Sequence, residues 1–187
     1  MSRALDVALA ALGLVLAAPF LALAAIAIRL ETPGPAVYCQ RRVGKDGRAF
    51  ELYKLRTMVQ GSDPVGIGTP IADDDPRVTR VGRVLRRLSL DEVPNLVNVL
   101  RGEMAIVGPR PTVEAQVERY TPRQRRRLEV KPGITGWAQV NGRAAISWEE
   151  RIELDVWYVE HRSRRLDLAI LARTLRLLVT GRGLYTG

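Results

Sequence analysis

The chain has 187 residues and a formal net charge of +9, and its length is typical of one domain that buries its own hydrophobic core. Arginine carries nearly all of the positive charge, because lysine occurs only at positions 45, 54 and 131. Guanidinium groups bind phosphates bidentately, so the charge indicates a phosphate-rich partner or, as the simpler alternative, an arginine-biased genome. The single cysteine, Cys39, excludes an internal disulfide and a zinc site built from cysteines.

The first predicted element is an apolar helix. No charged residue occurs from Val7 to Ile28, and at ~1.5 Å per residue a helix of this length just crosses the hydrocarbon core of a bilayer. It could be a cleaved signal peptide, a full span, or a helix that enters one leaflet and returns. An arginine-rich remainder that forms no disulfide argues against secretion.

Pro19 lies near the middle of this apolar run and favours a bend or break, because proline removes a helical hydrogen bond. Membrane helices tolerate proline where neighbours satisfy the freed backbone groups, so spanning and re-entrant helices both stay open. Arg3 and Asp6 cancel, which leaves the whole charge of +9 on residues 29–187. This asymmetry predicts a cytoplasmic body.

Turn residues at 31–35 end the apolar segment, and two strand-like runs follow at 36–40 and 49–57. A Gly-Lys-Asp-Gly turn between the runs predicts a β-hairpin. Residues 60–77 are rich in Gly, Asp and Pro and predict a loop. Its acidic triplet at 73–75 is typical of a solvated turn and, less often, of a cation site.

Helices are predicted over the rest of the chain, which makes the fold class α+β and mostly helical. The first covers 77–87, and the next begins either with a capping box at 89–92 (SLDE) or at Asp91, with Pro94 in its first turn. A second capping box at 147–150 (SWEE) opens a helix to about Glu160. Asp167 is predicted to cap a last helix that ends before Gly181 and lies in the core or at the membrane surface.

The adjacent carboxylates Asp91 and Glu92 are the candidate catalytic residues. Acids in the first turn of a helix stabilise its dipole by about 0.3–1 kcal/mol each, which would explain the pair without any chemistry. Cations in the flanking segments favour a functional interpretation, because they keep a carboxylate ionised and nucleophilic. These cations are Lys54, Arg56, Arg86 and Arg110.

Several motifs together resemble one family, the monotopic phosphoglycosyl transferases among the bacterial sugar transferases. The match extends over nearly the whole chain, and no single motif would be specific. The motifs are QRRVG (40–44), YKLRTM (53–58), PRVTRVG (76–82), LSLDEVPNL (88–96), VGPRP (107–111), KPGITGW (131–137) and QVNGR (139–143).

The resemblance implies a two-step reaction. Asp91 would bind Mg²⁺, attack the β-phosphate of a UDP-sugar, release UMP and keep the sugar phosphate covalently. Glu92 would then help a polyprenol (undecaprenyl) phosphate to attack this intermediate. The family positions imply phosphate or nucleotide contacts for Arg86, Arg110 and Arg143, with Lys54 and Arg56 as further candidates. Asp155 and Asp167 fall in matching segments, where a salt bridge or a helix cap is an equal alternative.

The resemblance also implies a topology. Residues 1–30 would form a re-entrant helix broken at Pro19, and residues 31–187 one catalytic domain on the cytoplasmic face of the bacterial inner membrane, in contact with phospholipids. Many relatives have Ser-Pro at the break, whereas this chain has Ala18 before Pro19. Without the extra domain of larger relatives, it would be a minimal catalytic form.

The alternative from a different class is a membrane-anchored, non-enzymatic protein that binds anionic lipid or nucleic acid. Nucleic acid is the weaker ligand, because aromatic residues make up only 5% of the chain and no nucleic-acid-binding module is apparent. No nucleic-acid partner is therefore expected.

Overall fold

The computed structural model describes residues 1–62, 75–142 and 146–180. These residues form a mostly helical α+β fold, which confirms the predicted class. The helices are α1 (Arg3–Glu31), α2 (Arg80–Arg87), α3 (Asn95–Arg101), α4 (Glu114–Val117), α5 (Pro122–Arg125), α6 (Trp137–Val140), α7 (Trp148–His161) and α8 (Arg164–Thr180). The strands are β1 (Val37–Val43), β2 (Ala49–Leu55), β3 (Ala105–Val107) and β4 (Gly133–Thr135).

Helix α1 contains the predicted apolar segment. It is long and apolar enough to cross a membrane, a test that a signal sequence near an N-terminus also passes. The helix runs without interruption from Arg3 to Glu31, with Pro19 inside it. The predicted break at Pro19 is therefore not present as an interruption of the helix, since proline removes only one of its many backbone hydrogen bonds. A bend within the continuous helix stays a prediction.

The first turns of α1 are attached to the rest of the protein. The Arg3 guanidinium donates hydrogen bonds to the carbonyl oxygens of Val99 (2.5 Å) and Leu100 (2.9 Å) near the end of α3. The buried Asp6 carboxylate accepts a hydrogen bond from the backbone N–H of Ile106 in β3 at 3.1 Å. The N-terminal end of the apolar helix therefore lies against the body of the protein.

The last turn of α1 is attached to the same body. The Arg56 guanidinium, at the end of β2, donates to the carbonyl oxygens of Thr32 (2.8 Å) and Pro33. The Glu31 carboxylate accepts hydrogen bonds from the backbone N–H groups of Arg80 (2.6 Å) and Val81 (2.9 Å), where an acid complements the N-terminal dipole of α2. Both ends of the apolar helix are thus held by one body.

Large apolar side chains along the middle of α1 remain exposed. They are Leu12, Val15, Leu16, Phe20, Leu23 and Ile26, each more than half exposed. A contiguous apolar surface of this size on a helix is typical of contact with lipid.

The predicted hairpin is confirmed. Strands β1 and β2 pair antiparallel, with Tyr38 opposite Lys54 and Arg42 opposite Phe50. Phe50 and Leu52 are buried, so the even-numbered residues of β2 face inward near its start. The hairpin therefore presents Lys54 and Arg42 on the face that packs toward the body.

The main core lies where α1, β2, α3, β3, α7 and α8 meet. Its buried apolar residues are Ala10, Phe50, Leu52, Val99, Met104, Ile106, Val107, Tyr158 and Ile170. Asn98 docks α3 onto the hairpin: its amide accepts from the N–H of Tyr53 at 3.3 Å and donates to the carbonyl of Glu51 at 2.6 Å. A buried polar side chain with satisfied partners fixes the helix against the strand.

Strands β3 and β4 form a two-stranded parallel sheet that the sequence did not predict. Each strand has three residues, too few to show an alternating pattern. Gly108 and Gly133 lie where the two segments approach, and a Cβ on either glycine would collide with the backbone of the other segment. This close approach joins the VGPRP and KPGITGW motifs.

The C-terminal helices agree with most of the prediction. Ser147 forms the predicted capping box with Glu150, and α7 follows it to His161. The last helix begins earlier than predicted, because the Ser163 hydroxyl accepts from the N–H of Leu166 at 3.2 Å and makes Ser163 the cap. Asp167 is not the cap, but a buried residue of the first turn of α8.

We predict that Asp6→Ala destabilises the protein by about 1–3 kcal/mol, because the buried N–H of Ile106 loses its acceptor. Asp6→Asn keeps an acceptor oxygen and should cost less. Thermal unfolding of the purified protein in detergent measures both variants. Equal unfolding temperatures for Asp6→Ala and the unmodified protein would show that the start of α1 does not rest on β3.

Candidate active site

Asp91 and Glu92 lie in a short 3₁₀ turn, Leu90–Glu92, between α2 and α3. Ser89 precedes the turn in the left-handed backbone region, with φ 55°, and makes no capping hydrogen bond. Helix α3 begins only at Asn95, after Pro94. Both predicted registers are therefore wrong: the acids do not cap or begin a helix, since the left-handed Ser89 reverses the chain and starts a separate turn.

Glu92 lies between two cations that come from distant segments. Its carboxylate is 2.9 Å from Nζ of Lys54 on β2 and 2.5 Å from a terminal guanidinium nitrogen of Arg110, in the loop after β3. Burial alone would raise the pKa of the Glu92 carboxyl, but Arg110 and Lys54 hold this pKa well below its usual range. Glu92 is therefore ionised at neutral pH.

Asp91 has a different environment from its neighbour. Within the described part of the chain, its carboxylate makes no hydrogen bond or ion pair. Burial, together with the charge of Glu92, raises the pKa of the Asp91 carboxyl to about 6, although Lys54, Arg110 and Arg86 act in the opposite direction. Two of the cations expected to keep Asp91 ionised, Lys54 and Arg110, are thus paired with Glu92, and they act on Asp91 only from a distance.

Only some of the other predicted phosphate ligands lie near the carboxylate pair. Arg86, at the end of α2, lies close enough to Asp91 to lower the pKa of its carboxyl. Arg56 is buried and directs its guanidinium to backbone carbonyls at the end of α1, so the structure does not bring it to the carboxylate pair. Arg143 lies outside the described residues, as do Asp73 and Asp74 of the acidic triplet.

Hydrogen bonds from Arg127 hold the loop that carries Arg110. The buried Arg127 guanidinium donates to the carbonyl of Arg110 at 3.0 Å and to the carboxylate of Asp155 at 2.6 Å. It also donates to the hydroxyl of Tyr120. Burial raises the pKa of Asp155 to about 6, and the pairing with Arg127 opposes this increase. Asp155 therefore takes the salt-bridge role and positions the Arg110 loop.

Asp167 also has a structural position. Its buried carboxylate accepts a hydrogen bond from the hydroxyl of Tyr158 at 2.7 Å and pairs with the amino group of Met1. These contacts tie α8 to α7 and to the start of α1. The structure places Asp167 in this buried cluster and not in the turn of Asp91 and Glu92.

Two residues that the sequence did not single out lie beside the carboxylate pair. Arg42 and Asn95 line the same small cleft as Lys54, Glu92 and Arg110. Arg42 lies on the inward face of the hairpin, but the predicted first strand ended at position 40, before Arg42. The role of Asn95 was missed because the predicted start of α3 was wrong.

The residues present fit a magnesium ion that is shared with a substrate. The described residues contain no group of three or more His, Cys, Asp or Glu side chains that could hold a metal. Mg²⁺ is, however, commonly bound by one or two carboxylates plus substrate phosphates and water. Asp91 offers one unpaired carboxylate of this kind, whereas Glu92 already has two cationic partners.

An exposed apolar helix next to a carboxylate pair and several cations is what a membrane-attached enzyme that acts on phosphates requires. The chain belongs to the family of bacterial sugar transferases, which matches residues 1–181. It is therefore a transferase, and the family excludes the alternative of a non-enzymatic binding protein.

Similar proteins agree with this assignment. An uncharacterised sugar transferase, EpsL, from Bacillus subtilis is 50% identical over 84% of this chain and 76% of the relative. A UDP-glucose:undecaprenyl-phosphate glucose-1-phosphate transferase from Caulobacter vibrioides is 44% identical over 98% of this chain and 71% of the relative. An N-acetylgalactosaminephosphotransferase from Aeromonas hydrophila, which acts with UDP-N-acetylgalactosamine and undecaprenyl phosphate, is 42% identical over 97% of this chain but only 44% of the relative.

We predict that Arg127→Met destabilises the protein by about 3–5 kcal/mol, because it leaves the Asp155 carboxylate buried without its cation. The double variant Arg127→Met with Asp155→Leu removes both charges and should recover much of this loss. Arg123→Met removes an exposed arginine that pairs with Glu153 and serves as the control. Chemical unfolding in detergent compares the variants. If Arg127→Met and Arg123→Met were equally stable, the pair would not hold the Arg110 loop.

Proposed function

We propose that the protein transfers a sugar 1-phosphate from a UDP-sugar to undecaprenyl phosphate and releases UMP, as a membrane step of polysaccharide assembly. The observation that carries the proposal is the carboxylate pair: Asp91 is unpaired among the described residues, and Glu92 is fixed between Lys54 and Arg110. Relatives whose names state a sugar-phosphate transfer with a UDP-sugar and undecaprenyl phosphate are 42–44% identical over 94–98% of the chain.

Asp91 is the nucleophile in this proposal. One of its carboxylate oxygens bonds to the β-phosphorus of the UDP-sugar, and the bond from that phosphorus to the bridging oxygen of UMP breaks. The sugar phosphate stays on Asp91 until an oxygen of undecaprenyl phosphate attacks the same phosphorus and frees the carboxylate. An unpaired carboxylate supports this role, because no ion pair with another described side chain must break before it attacks.

Glu92 assists by holding cations in place. Because the pKa of Glu92 is far below its usual range, the group stays ionised and is poorly suited to carry a proton. It instead orients Lys54 and Arg110 toward the incoming phosphates, whose negative charge these cations stabilise. Mg²⁺, held by Asp91 and the phosphate oxygens of the substrates, would neutralise further charge.

The proposed location is the cytoplasmic face of the bacterial inner membrane, with α1 entering and leaving the same leaflet. Hydrogen bonds from Arg3 and Arg56 attach opposite ends of α1 to one body, while apolar side chains between them are exposed. A helix that spans the bilayer would separate its two ends by the full membrane thickness. The attachments therefore support a re-entrant helix in contact with phospholipids.

We predict that Asp91→Asn abolishes the covalent sugar-phosphate adduct and lowers transfer on the order of 10³-fold or more, because an amide is a poor nucleophile. Glu92→Gln should also reduce transfer severely, since Lys54 and Arg110 lose the carboxylate that positions them. Asp46→Asn changes an exposed carboxylate of the hairpin turn and is the matched control. UMP release with Mg²⁺ and undecaprenyl phosphate, and the intact mass of the quenched protein, measure the outcomes.

Two results would contradict this mechanism. Near-normal turnover of Asp91→Asn would exclude Asp91 as the nucleophile. An adduct found by peptide mapping at a residue other than 91 would place the covalent step elsewhere.

We predict that positions 2 and 39 lie on the same side of the membrane. Cys39 is exposed on β1 and reports the side of the body. A Ser2→Cys variant in a Cys39→Ser background reports the start of α1. In intact spheroplasts an impermeant maleimide should label neither, and after lysis it should label both. Labelling of position 2 alone before lysis would show a spanning helix.

A further inference from the structure

The cleft beside Glu92 contains a buried hydrogen-bond acceptor that has no partner. Asn95 is 4% exposed, and its Oδ1 accepts no hydrogen bond in the described part of the chain. A buried acceptor left unpaired costs about 1–3 kcal/mol, and such groups are uncommon in folded proteins. Asn95 therefore carries a cost that packing does not explain.

Asn98 shows what a structural asparagine on the same helix does. It lies one turn further along α3, is fully buried, and satisfies its amide with the backbone of Tyr53 and Glu51 and the carboxylate of Glu103. Both side chains are buried, but the amide of Asn98 has hydrogen-bond partners whereas Oδ1 of Asn95 has none among the described residues. Docking of α3 onto the hairpin thus depends on Asn98, and Asn95 is available for a ligand.

Arg42 supplies an unpaired donor in the same cleft. Its terminal nitrogens donate to the side chain of Gln40 at 2.6 Å and to the carbonyl of Pro111 at 3.4 Å. Its buried Nε has no acceptor within the described ranges. Burial, and next the charge of Arg110, lower the pKa of Arg42 to about 10, which indicates that its positive charge is incompletely compensated.

The charges that line the cleft favour an anion. Among the described residues that line it, Arg42, Lys54 and Arg110 are cationic, and Glu92 alone is anionic. A bound group that matches the whole cleft has a phosphate for the cations and, next to it, a hydroxyl or amide N–H for Asn95. A sugar 1-phosphate has both, because the sugar is attached directly to the phosphate.

We propose that this cleft binds the sugar-1-phosphate part of the donor substrate. Arg42 donates to a phosphate oxygen, and Oδ1 of Asn95 accepts a hydrogen bond from a hydroxyl or amide N–H of the sugar. Asn95 is then a residue that determines sugar specificity. The inference rests on the proposed function for the identity of the substrate, and it adds two ligands to the site.

The first experiment separates binding from folding. Asn95→Leu removes an unpaired acceptor, so thermal unfolding in detergent should be unchanged or shifted upward, whereas Asn98→Leu loses satisfied hydrogen bonds and should unfold at a lower temperature. In contrast, kcat/KM of Asn95→Leu for the accepted UDP-sugar should fall about 10- to 100-fold. A fall in both stability and activity for Asn95→Leu would overturn the proposal in favour of a structural role.

The second experiment identifies the group that Asn95 binds. UDP-glucose, UDP-galactose, UDP-N-acetylglucosamine and UDP-N-acetylgalactosamine are screened first, and deoxy analogues of the accepted sugar follow. For the unmodified protein, kcat/KM should be about 10- to 100-fold lower with one deoxy analogue than with the full sugar. For Asn95→Leu, kcat/KM should differ little between that analogue and the full sugar. Additive losses for every analogue would overturn the proposal.

Direct titration with UDP and with the UDP-sugars separates this inference from the proposed function. Asn95→Leu should weaken binding of the UDP-sugar and leave UDP unchanged, whereas Arg42→Met should weaken both. Arg41→Met, an exposed neighbour that pairs loosely with Glu114 at 3.9 Å, should weaken neither. Weakened binding of UDP by Asn95→Leu would point to the uracil ring and overturn the sugar assignment.

If the unmodified protein binds UDP-sugars but releases no UMP, the proposed function fails and the titration still decides the inference. If it binds none of the four UDP-sugars, the inference fails as well.

Discussion

The ion pairs of Glu92 with Lys54 and Arg110 hold the candidate active site together. They join the hairpin, the turn after α2 and the loop after β3, which are far apart in sequence. Two of these segments have further hydrogen bonds: Asn98 docks α3 onto the hairpin, and Arg127 donates to the carbonyl of Arg110 in the loop. Because the Glu92 side chain is only 22% exposed, removal of one partner would leave a poorly solvated charge, which favours retention of both ion pairs.

This arrangement explains how adjacent carboxylates acquire different properties. Lys54 and Arg110 compensate the charge of Glu92, whereas Asp91 receives the burial and the repulsion of its neighbour without a direct partner. The pKa values of the two groups consequently move in opposite directions. Separated pKa values of neighbouring acids are typical of a division of roles in catalysis. In this protein the two pKa values separate because the Glu92 side chain, and not that of Asp91, contacts Lys54 and Arg110.

The sequence predicted elements whose signals are local. The hairpin, the capping box at Ser147 and the candidate carboxylates all follow from residues within a few positions of one another. Two features that depend on distant contacts were missed: the three-residue strands β3 and β4, and the use of Arg56 to hold the end of α1. The left-handed turn at Ser89 was also missed, although the segment matches a local capping signal. An arginine near a motif shows that a cation is present, but tertiary packing decides which oxygen it contacts.

The cleft and the apolar helix together define what the site is prepared to bind. Without a substrate, Arg42, Lys54 and Arg110 share a single carboxylate among the described lining residues, and the resulting repulsion is unfavourable. A phosphate that enters the cleft relieves this repulsion and is therefore favoured over a neutral ligand. In the proposed reaction this phosphate belongs to the sugar 1-phosphate of the donor, and the exposed apolar side chains of α1 on the same body suit the lipid chain of the acceptor. Preorganised cations and an exposed apolar helix on one body thus suit the proposed reaction between a phosphorylated donor and a lipid-linked acceptor.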